Sequence, residues 1–140
     1  MKRIASFLFA TALLAACGKD TPSTTSPTPN VAAPSVFVTW EGTLAVGATR
    51  FYSFPVSQTG TVNLTLTSLT NSSGDLTTPV QISIGFPAGT SCTATSSATT
   101  VAGTEVHVSN TYDAGTLCTR ISDVGNLVGP ANFRLLIAYP

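Results

Sequence analysis

Apolar residues occupy every second position along much of this chain, a pattern that predicts β-strands with one buried face. Val62, Leu64 and Leu66 form one such set, separated by Asn and Thr. The same alternation is found in residues 52–56, 80–86, 117–121 and 133–139. No stretch after Val36 has the three- and four-residue apolar spacing of an amphipathic helix. The pattern therefore predicts an all-β domain.

Groups of Gly, Pro, Asn and Ser separate these sets and predict turns between the strands. With further strands around Trp40 and His107, the chain has about eight short strands, a number typical of a β-sandwich. We therefore expect a jelly-roll-like antiparallel β-sandwich with its Val, Ile, Leu and Phe faces turned inward. Pro55 predicts either an edge position for its strand or the end of the strand. Residues 93–104 have a weak pattern and are expected to form a long loop.

Residues 1–34 do not follow this pattern. Lys2 and Arg3 precede an apolar run at residues 4–16, too short for a membrane span, which needs about 20 apolar residues. The run ends in Leu14-Ala15-Ala16-Cys17, which resembles the lipobox of bacterial lipoprotein precursors. The resemblance implies that residues 1–16 are a signal peptide and that Cys17 is acylated. The alternative is an ordinary secretory signal with an incidental cysteine.

The residues after Cys17 predict which membrane the protein is anchored in. In bacteria with two membranes, an Asp directly after the acylated cysteine tends to retain a lipoprotein at the inner membrane. Gly18 stands there and Asp20 comes two positions later, so the resemblance favours the outer membrane. Residues 17–34 are rich in Pro, Ser and Thr and are expected to form a tether. Residues 35–140 are expected to form the folded domain.

The low charge content of the chain argues against binding to nucleic acid. Asp, Glu, Lys and Arg make up 9% of the 140 residues, and the formal net charge is zero. Soluble domains have roughly 25% charged residues, so Ser and Thr must form most of this surface. No basic patch is available to neutralise phosphates, and we expect no nucleic-acid partner. The expected membrane contact is through the acyl chains on Cys17.

Two cysteines remain in the folded domain. Cys92 and Cys118 are expected to form a disulfide, because an exported domain folds in an oxidising compartment. The alternative is a pair of buried free thiols. Cys118 shares the less apolar side of its strand with Arg120, so we expect the bridge near a sheet edge.

The order of the apolar sets resembles the bacterial pre-peptidase C-terminal domain, a jelly-roll-like sandwich often appended to secreted proteases. The matching segments are Gly42-Thr43-Leu44 and residues 52–56, 60–66, 114–121 and 132–137. These are core and turn residues, so the resemblance implies a fold and no chemistry. Leu117 stands where family members commonly have an aromatic residue. Some relatives hold calcium with N-terminal carboxylates, but residues 21–35 contain none and that site is not carried over.

Catalytic constellations are not evident in the sequence. His107 is the sole candidate base, and the alternation of Val106, His107 and Val108 predicts that it faces solvent. A Gly-x-Ser-x-Gly nucleophile motif does not occur. We expect no enzyme, cofactor or metal site. The carboxylates are scattered and mostly beside turns, where Asp commonly caps the chain: Glu41, Asp75, Glu105, Asp113 and Asp123.

Aromatic residues are the remaining candidates for ligand contact. Trp40, Tyr112 and Tyr139 would offer rings to a glycan or protein if they were exposed, whereas the alternative is that they fill the core. The sequence therefore predicts a non-catalytic, lipid-anchored binding or adhesion module of the cell envelope. The alternative is a structural envelope lipoprotein or spacer without a soluble ligand.

We expect Cys17→Ser to abolish acylation, because no thiol is left to form the thioether. The variant should leave the membrane fraction, while Ser23→Ala in the tether should not. Mass spectrometry of the mature N-terminus and fractionation of cells measure both. A wild-type chain that begins elsewhere than Cys17, or that is fully soluble, would contradict the lipobox interpretation.

Overall fold

The computed structural model describes residues 30–140, which form nine strands and no helix. The predicted signal peptide, Cys17 and most of the predicted tether lie outside the described residues. Within residues 30–140, no helix is long and apolar enough to cross a membrane. The strands are β1 (Val36–Leu44), β2 (Thr49–Val56), β3 (Gly60–Asn71), β4 (Gly74–Asp75), β5 (Val80–Ala88), β6 (Ser91–Thr100), β7 (Val108–Tyr112), β8 (Gly115–Ser122) and β9 (Ala131–Tyr139).

The strands form two antiparallel sheets packed face to face, which confirms the predicted all-β sandwich. Sheet A has the order β1-β9-β3, and both β7 and β4 pair with separate parts of β3. Sheet B has the order β2-β8-β5-β6. Without the two-residue β4, the orders β1-β9-β3-β7 and β2-β8-β5-β6 are those of an eight-stranded jelly roll. Pro55 lies on β2, an edge strand of sheet B, as predicted.

The prediction of a long loop at residues 93–104 was wrong. Residues 91–100 form β6, which pairs with β5 along its whole length. This strand is built from Ser, Thr and Ala, and most of its side chains are exposed. An edge strand of this kind buries little apolar surface, so its sequence shows no alternation.

The folded unit begins before the predicted boundary at residue 35. The amide of Ala32 donates to the Thr59 carbonyl at 3.2 Å, and the Ala32 carbonyl accepts from the amide of Thr61 at 2.9 Å. The amide of Ser35 then donates to the Tyr139 carbonyl at 3.0 Å as the chain enters β1. Residues 32–34, which were assigned to the tether, are therefore attached to the end of sheet A.

The core lies between the sheets and consists mainly of aliphatic side chains at alternating strand positions. Burial of each such side chain stabilises the fold by roughly 1.5–3 kcal/mol. The largest fully buried side chains are Leu44, Val62, Leu64, Leu66, Leu69, Val80, Ile82, Ile84, Leu117, Ile121, Leu135 and Ile137.

An aromatic cluster closes the side of the sandwich between β1 and β2. The rings of Trp40 and Tyr52 stack with centroids 5.0 Å apart, and Phe54 lies 5.6 Å from Trp40. The Tyr52 hydroxyl donates to the Glu41 carbonyl at 3.3 Å. These contacts join the edge strands of the two sheets, which do not pair with each other.

Polar contacts join β6 and β7 on the opposite side. The hydroxyls of Thr95 and Tyr112 are 3.0 Å apart, and the Asn110 amide donates to the Ser96 hydroxyl at 2.9 Å. Both open sides of the sandwich are therefore bridged by side chains.

Cys92 and Cys118 form the predicted disulfide, with their Cα atoms 5.9 Å apart. The expectation of a bridge at a sheet edge was only half right. Cys92 lies on the edge strand β6, whereas Cys118 is fully buried on the interior strand β8. The bridge crosses β5 where its pairing with β6 shifts register after Ile84. Gly85 on β5 permits β6 to approach closely beside the bridge, because a Cβ on residue 85 would overlap the carbonyl oxygen of Thr93 on β6.

Removal of the disulfide should destabilise the protein without changing the fold. We expect Cys92→Ala/Cys118→Ala to lower the free energy of unfolding by about 3 kcal/mol, since the unfolded chain loses a covalent loop. Urea unfolding of the variant and wild type measures the difference. Two thiols that react in the unreduced, denatured wild type, apart from Cys17, would show that the bridge does not form.

Candidate functional site

The aromatic residues predicted to contact a ligand do not form a shared surface. Tyr112 and Tyr139 are only 6% and 9% exposed. Trp40 is half-buried in the aromatic cluster, where one of its faces is covered by Tyr52. Tyr139 packs on Phe54 in the same cluster, whereas Tyr112 lies on the opposite side of the sandwich. A ligand platform made from the three predicted rings is therefore not present, because these rings fill and close the core.

His107 is not the solvent-facing strand residue that the alternation predicted. It precedes β7, and its Nδ1 accepts a hydrogen bond from the amide of Leu66 at 3.1 Å. The His107 amide donates to the Leu64 carbonyl at 3.0 Å. The residue therefore covers part of the β3 edge beyond β7. Within residues 30–140, His, Cys, Asp and Glu form no group of three or more that could hold a metal ion.

A concave depression of about 450 Å³ lies on the outer face of sheet A. We call it the sheet A depression. Its polar lining comes from β1, β9 and β3. These side chains are Glu41, Thr43, Ser68, Thr70, Asn132 and Arg134.

Strand register brings this polar group together from distant parts of the sequence. Glu41 lies opposite Arg134, and Thr43 lies opposite Asn132, in the pairing of β1 with β9. On the other side of β9, Ser68 lies opposite Arg134 after a register shift in β3. The extra residue, Thr67, donates its hydroxyl to the Arg134 carbonyl at 3.1 Å. The depression thus depends on one β-bulge and two strand pairings.

An exposed ion pair lies in the depression. Arg134 Nε donates to Glu41 Oε1 at 2.7 Å, and the two side chains are 57% and 59% exposed. Such a pair adds only about 0–1 kcal/mol to stability. The contact uses one atom of each group, Arg134 Nε and Glu41 Oε1, and both residues line the depression. The Thr43 hydroxyl donates to Asn132 Oδ1 at 2.9 Å.

The same face of sheet A has an apolar end. Phe37 is 66% exposed on β1, two positions before Thr39 and four before Glu41. Leu136 is half-buried on β9, opposite Thr39. Because side chains at every second position share a face, Phe37, Thr39 and Glu41 form one row. This outer face therefore combines an exposed ring with charged and hydroxyl groups.

Sequence reasoning did not find this site. The alternation of β1 places Phe37 and Glu41 on one face, and that signal was available. The approach of Arg134 to Glu41 was not, because the two residues are 93 positions apart and meet only through the pairing of β1 with β9.

Asp123 has a structural role outside the depression. One carboxylate oxygen accepts from the amide of Gly47 at 2.8 Å, and the other accepts from Gly125, Asn126 and Leu127 at 2.9–3.1 Å. These amides, with Gly47 the strongest, hold the pKa of Asp123 below its usual 3.8. The carboxylate thus caps its own turn, as predicted, and ties it to the turn between β1 and β2.

Comparison with known proteins identifies no family: neither a protein-family model nor a curated protein matches the chain. The resemblance to the pre-peptidase C-terminal domain therefore stays a prediction. The sheet A depression supplies the chemistry from which a function can be inferred.

We expect Asp123→Asn to lower the free energy of unfolding at pH 7. Both carboxylate oxygens accept from backbone amides, and the Asn side chain would replace one oxygen with an NH₂ group, so two donors would face each other. The folded state lowers the pKa of Asp123, so its stabilising effect is present above about pH 4 and is lost as pH falls through the folded-state pKa. The difference between wild type and variant should therefore shrink toward pH 2. Urea unfolding across this range measures it, with the exposed Asp75→Asn as control. A difference of equal size at pH 7 and pH 2 would contradict this role of the charge.

Proposed function

We propose that this chain is a non-catalytic binding module of the cell envelope, held to a membrane by acyl chains on Cys17. Its ligand is a cell-surface glycan or a protein, bound on the outer face of sheet A. The observation that carries the proposal is the sheet A depression. It groups a carboxylate, a guanidinium, an amide and several hydroxyls on a surface that otherwise has few charges.

The lining of the depression suits a polyhydroxylated ligand. Glu41 accepts hydrogen bonds from hydroxyl groups, Arg134 donates them, and Asn132 does both. Bonds that involve a charged partner are stronger than bonds between neutral groups. Because the two charges offset each other, the site favours an uncharged glycan over an acidic one.

The apolar end of the face supports the same ligand class. A sugar ring has C–H faces that pack on aromatic and aliphatic side chains, and Phe37 offers an exposed ring. Leu136 lies between Phe37 and the polar end along the face. A ligand of several sugar units would contact both ends, since residues 37 and 43 of β1 lie about 20 Å apart.

The position of the depression favours presentation away from an anchoring membrane. The chain enters β1 at Val36, whereas Glu41 and Thr43 lie toward the other end of that strand. A tether that joins the domain before Ala32, which is bonded to the Val36 end of sheet A, would leave the depression at the far end. A flexible tether also helps a domain to reach a partner.

A structural spacer is the second candidate, and one observation favours it. Trp40, Tyr112 and Tyr139 pack in or against the core, so these three rings do not form an aromatic platform for a ligand. A spacer requires only a stable domain with a hydroxyl-rich surface. The two candidates differ in whether any envelope component binds the depression.

We expect Glu41→Gln and Arg134→Gln each to weaken binding of a neutral envelope polysaccharide by roughly tenfold, the loss of one charge-assisted hydrogen bond. Glu105→Gln is the matched control, because it removes an exposed carboxylate from a loop outside the depression. Glycan-array screening followed by titration calorimetry measures the affinities. Circular dichroism should show that all three variants fold.

Two outcomes would contradict the binding proposal. If no glycan and no protein from intact envelope binds the wild type, the spacer is favoured. If a ligand binds and Glu41→Gln has no more effect than Glu105→Gln, the ligand uses another surface.

A further inference from the structure

One half of the β1 edge has backbone groups without a partner among residues 30–140. In sheet A, β1 pairs only with β9. Backbone groups of an antiparallel edge strand alternate between its neighbour and the open side. The carbonyls of Glu41 and Thr43 point to the open side, where they accept from Tyr52 Oη and Arg50 Nε at 3.3 and 3.2 Å. By the same alternation, Phe37 and Thr39 direct their N–H and C=O groups outward.

The second half of the β1 edge, at Glu41 and Thr43, is therefore closed by side chains of β2. The first half, residues 36–39, is open. Phe37 and Thr39 are both exposed. Val36 and Phe37 add exposed apolar side chains at 40% and 66%. Residues 36–39 contain no charge and no proline. Charges and prolines are features that natural edge strands use to prevent pairing with another strand. The first half of the β1 edge therefore lacks this protection.

Other edges of the fold carry some protection. Pro55 interrupts the free edge of β2, where a donor is missing. The part of β3 beyond β7 is covered by Gly103, whose amide donates to the Leu66 carbonyl at 2.9 Å, and by His107. The edge of β6 meets β7 through Thr95 and its neighbours. The first half of β1 differs from these edges.

We propose that this open half is a self-association site, at which β1 pairs antiparallel with β1 of a second copy of this chain. In a symmetric arrangement around Val38, Phe37 of each copy lies opposite Thr39 of the other. The two pairs form four backbone hydrogen bonds and extend sheet A into one sheet across both molecules. The two Phe37 rings become diagonal neighbours on the outer face, within contact distance for aromatic side chains.

A second copy fits this edge better than the chain's own N-terminal segment. Residues 17–29 contain Pro22, Pro27 and Pro29, and each proline lacks the N–H that strand pairing requires. A second β1 supplies matched donors and acceptors by symmetry. It also brings no charge conflict, because the two copies of Glu41 would lie about 20 Å apart along the strands.

The short pairing predicts weak association in solution, which acyl anchoring in one membrane would favour. The association goes beyond the proposed ligand site and does not depend on it. Phe37 belongs to both surfaces, so a ligand that covers this ring would compete with pairing.

Amide hydrogen exchange of the full-length chain in mild detergent tests the proposal. We expect the amides of Phe37 and Thr39 to exchange about tenfold more slowly at millimolar than at micromolar concentration, since pairing protects them. Thr39→Lys should remove this concentration dependence, because a lysine on an edge strand opposes pairing. Thr99→Lys is the matched control, since it adds the same charge to an exposed residue of β6.

Equal exchange at all concentrations in the wild type would overturn the proposal. So would protection that is already complete at the lowest concentration, because a segment of the same chain would then cover the edge. Concentration-dependent protection that survives in Thr39→Lys would place the association on another surface. None of these results alters the glycan-binding test of Glu41→Gln, so the two proposals fail separately.

Discussion

The burial of two aliphatic faces against each other is the interaction on which the rest of this structure depends. Each sheet contributes alternate Val, Leu and Ile side chains to one shared layer, and the largest of them are fully buried. With a core of this kind, the outer faces of the sheets are free of any packing requirement. This explains how a domain with few charges folds under a surface of Ser and Thr.

Packing two sheets leaves two open sides, and the chain closes them by different chemistry. Trp40, Tyr52 and Phe54 close one side with stacked rings, while Thr95 and Tyr112 close the other with hydrogen bonds. The disulfide holds the β5–β6 hairpin onto β8 near the second side. Rings used for closure are not available to a ligand, so the function of the outer faces must depend on other residues.

The outer face of sheet A carries the residues of the proposed ligand site. Its polar end depends on β9, which lies between β1 and β3 and carries Asn132 and Arg134 to positions opposite Thr43 and Glu41. Its apolar end depends on the same β1 strand, through Phe37. A single edge strand thus contributes to the proposed ligand site and to the proposed contact with a second copy.

Local patterns in the sequence were sufficient for most of the strands, the core and the two-sheet architecture, because the period-two alternation of residues such as Val62, Leu64 and Leu66 reports burial directly. The pairing of Cys92 with Cys118 also followed from the number of cysteines. The β6 strand was missed because an edge strand of Ser, Thr and Ala buries too little to show a period. Only the tertiary structure decided that Trp40 and Tyr139 fill the core and that Glu41 meets Arg134. Those outcomes depend on strand register between distant segments, which is selected by the packing of the whole sandwich and leaves no local signal in the sequence.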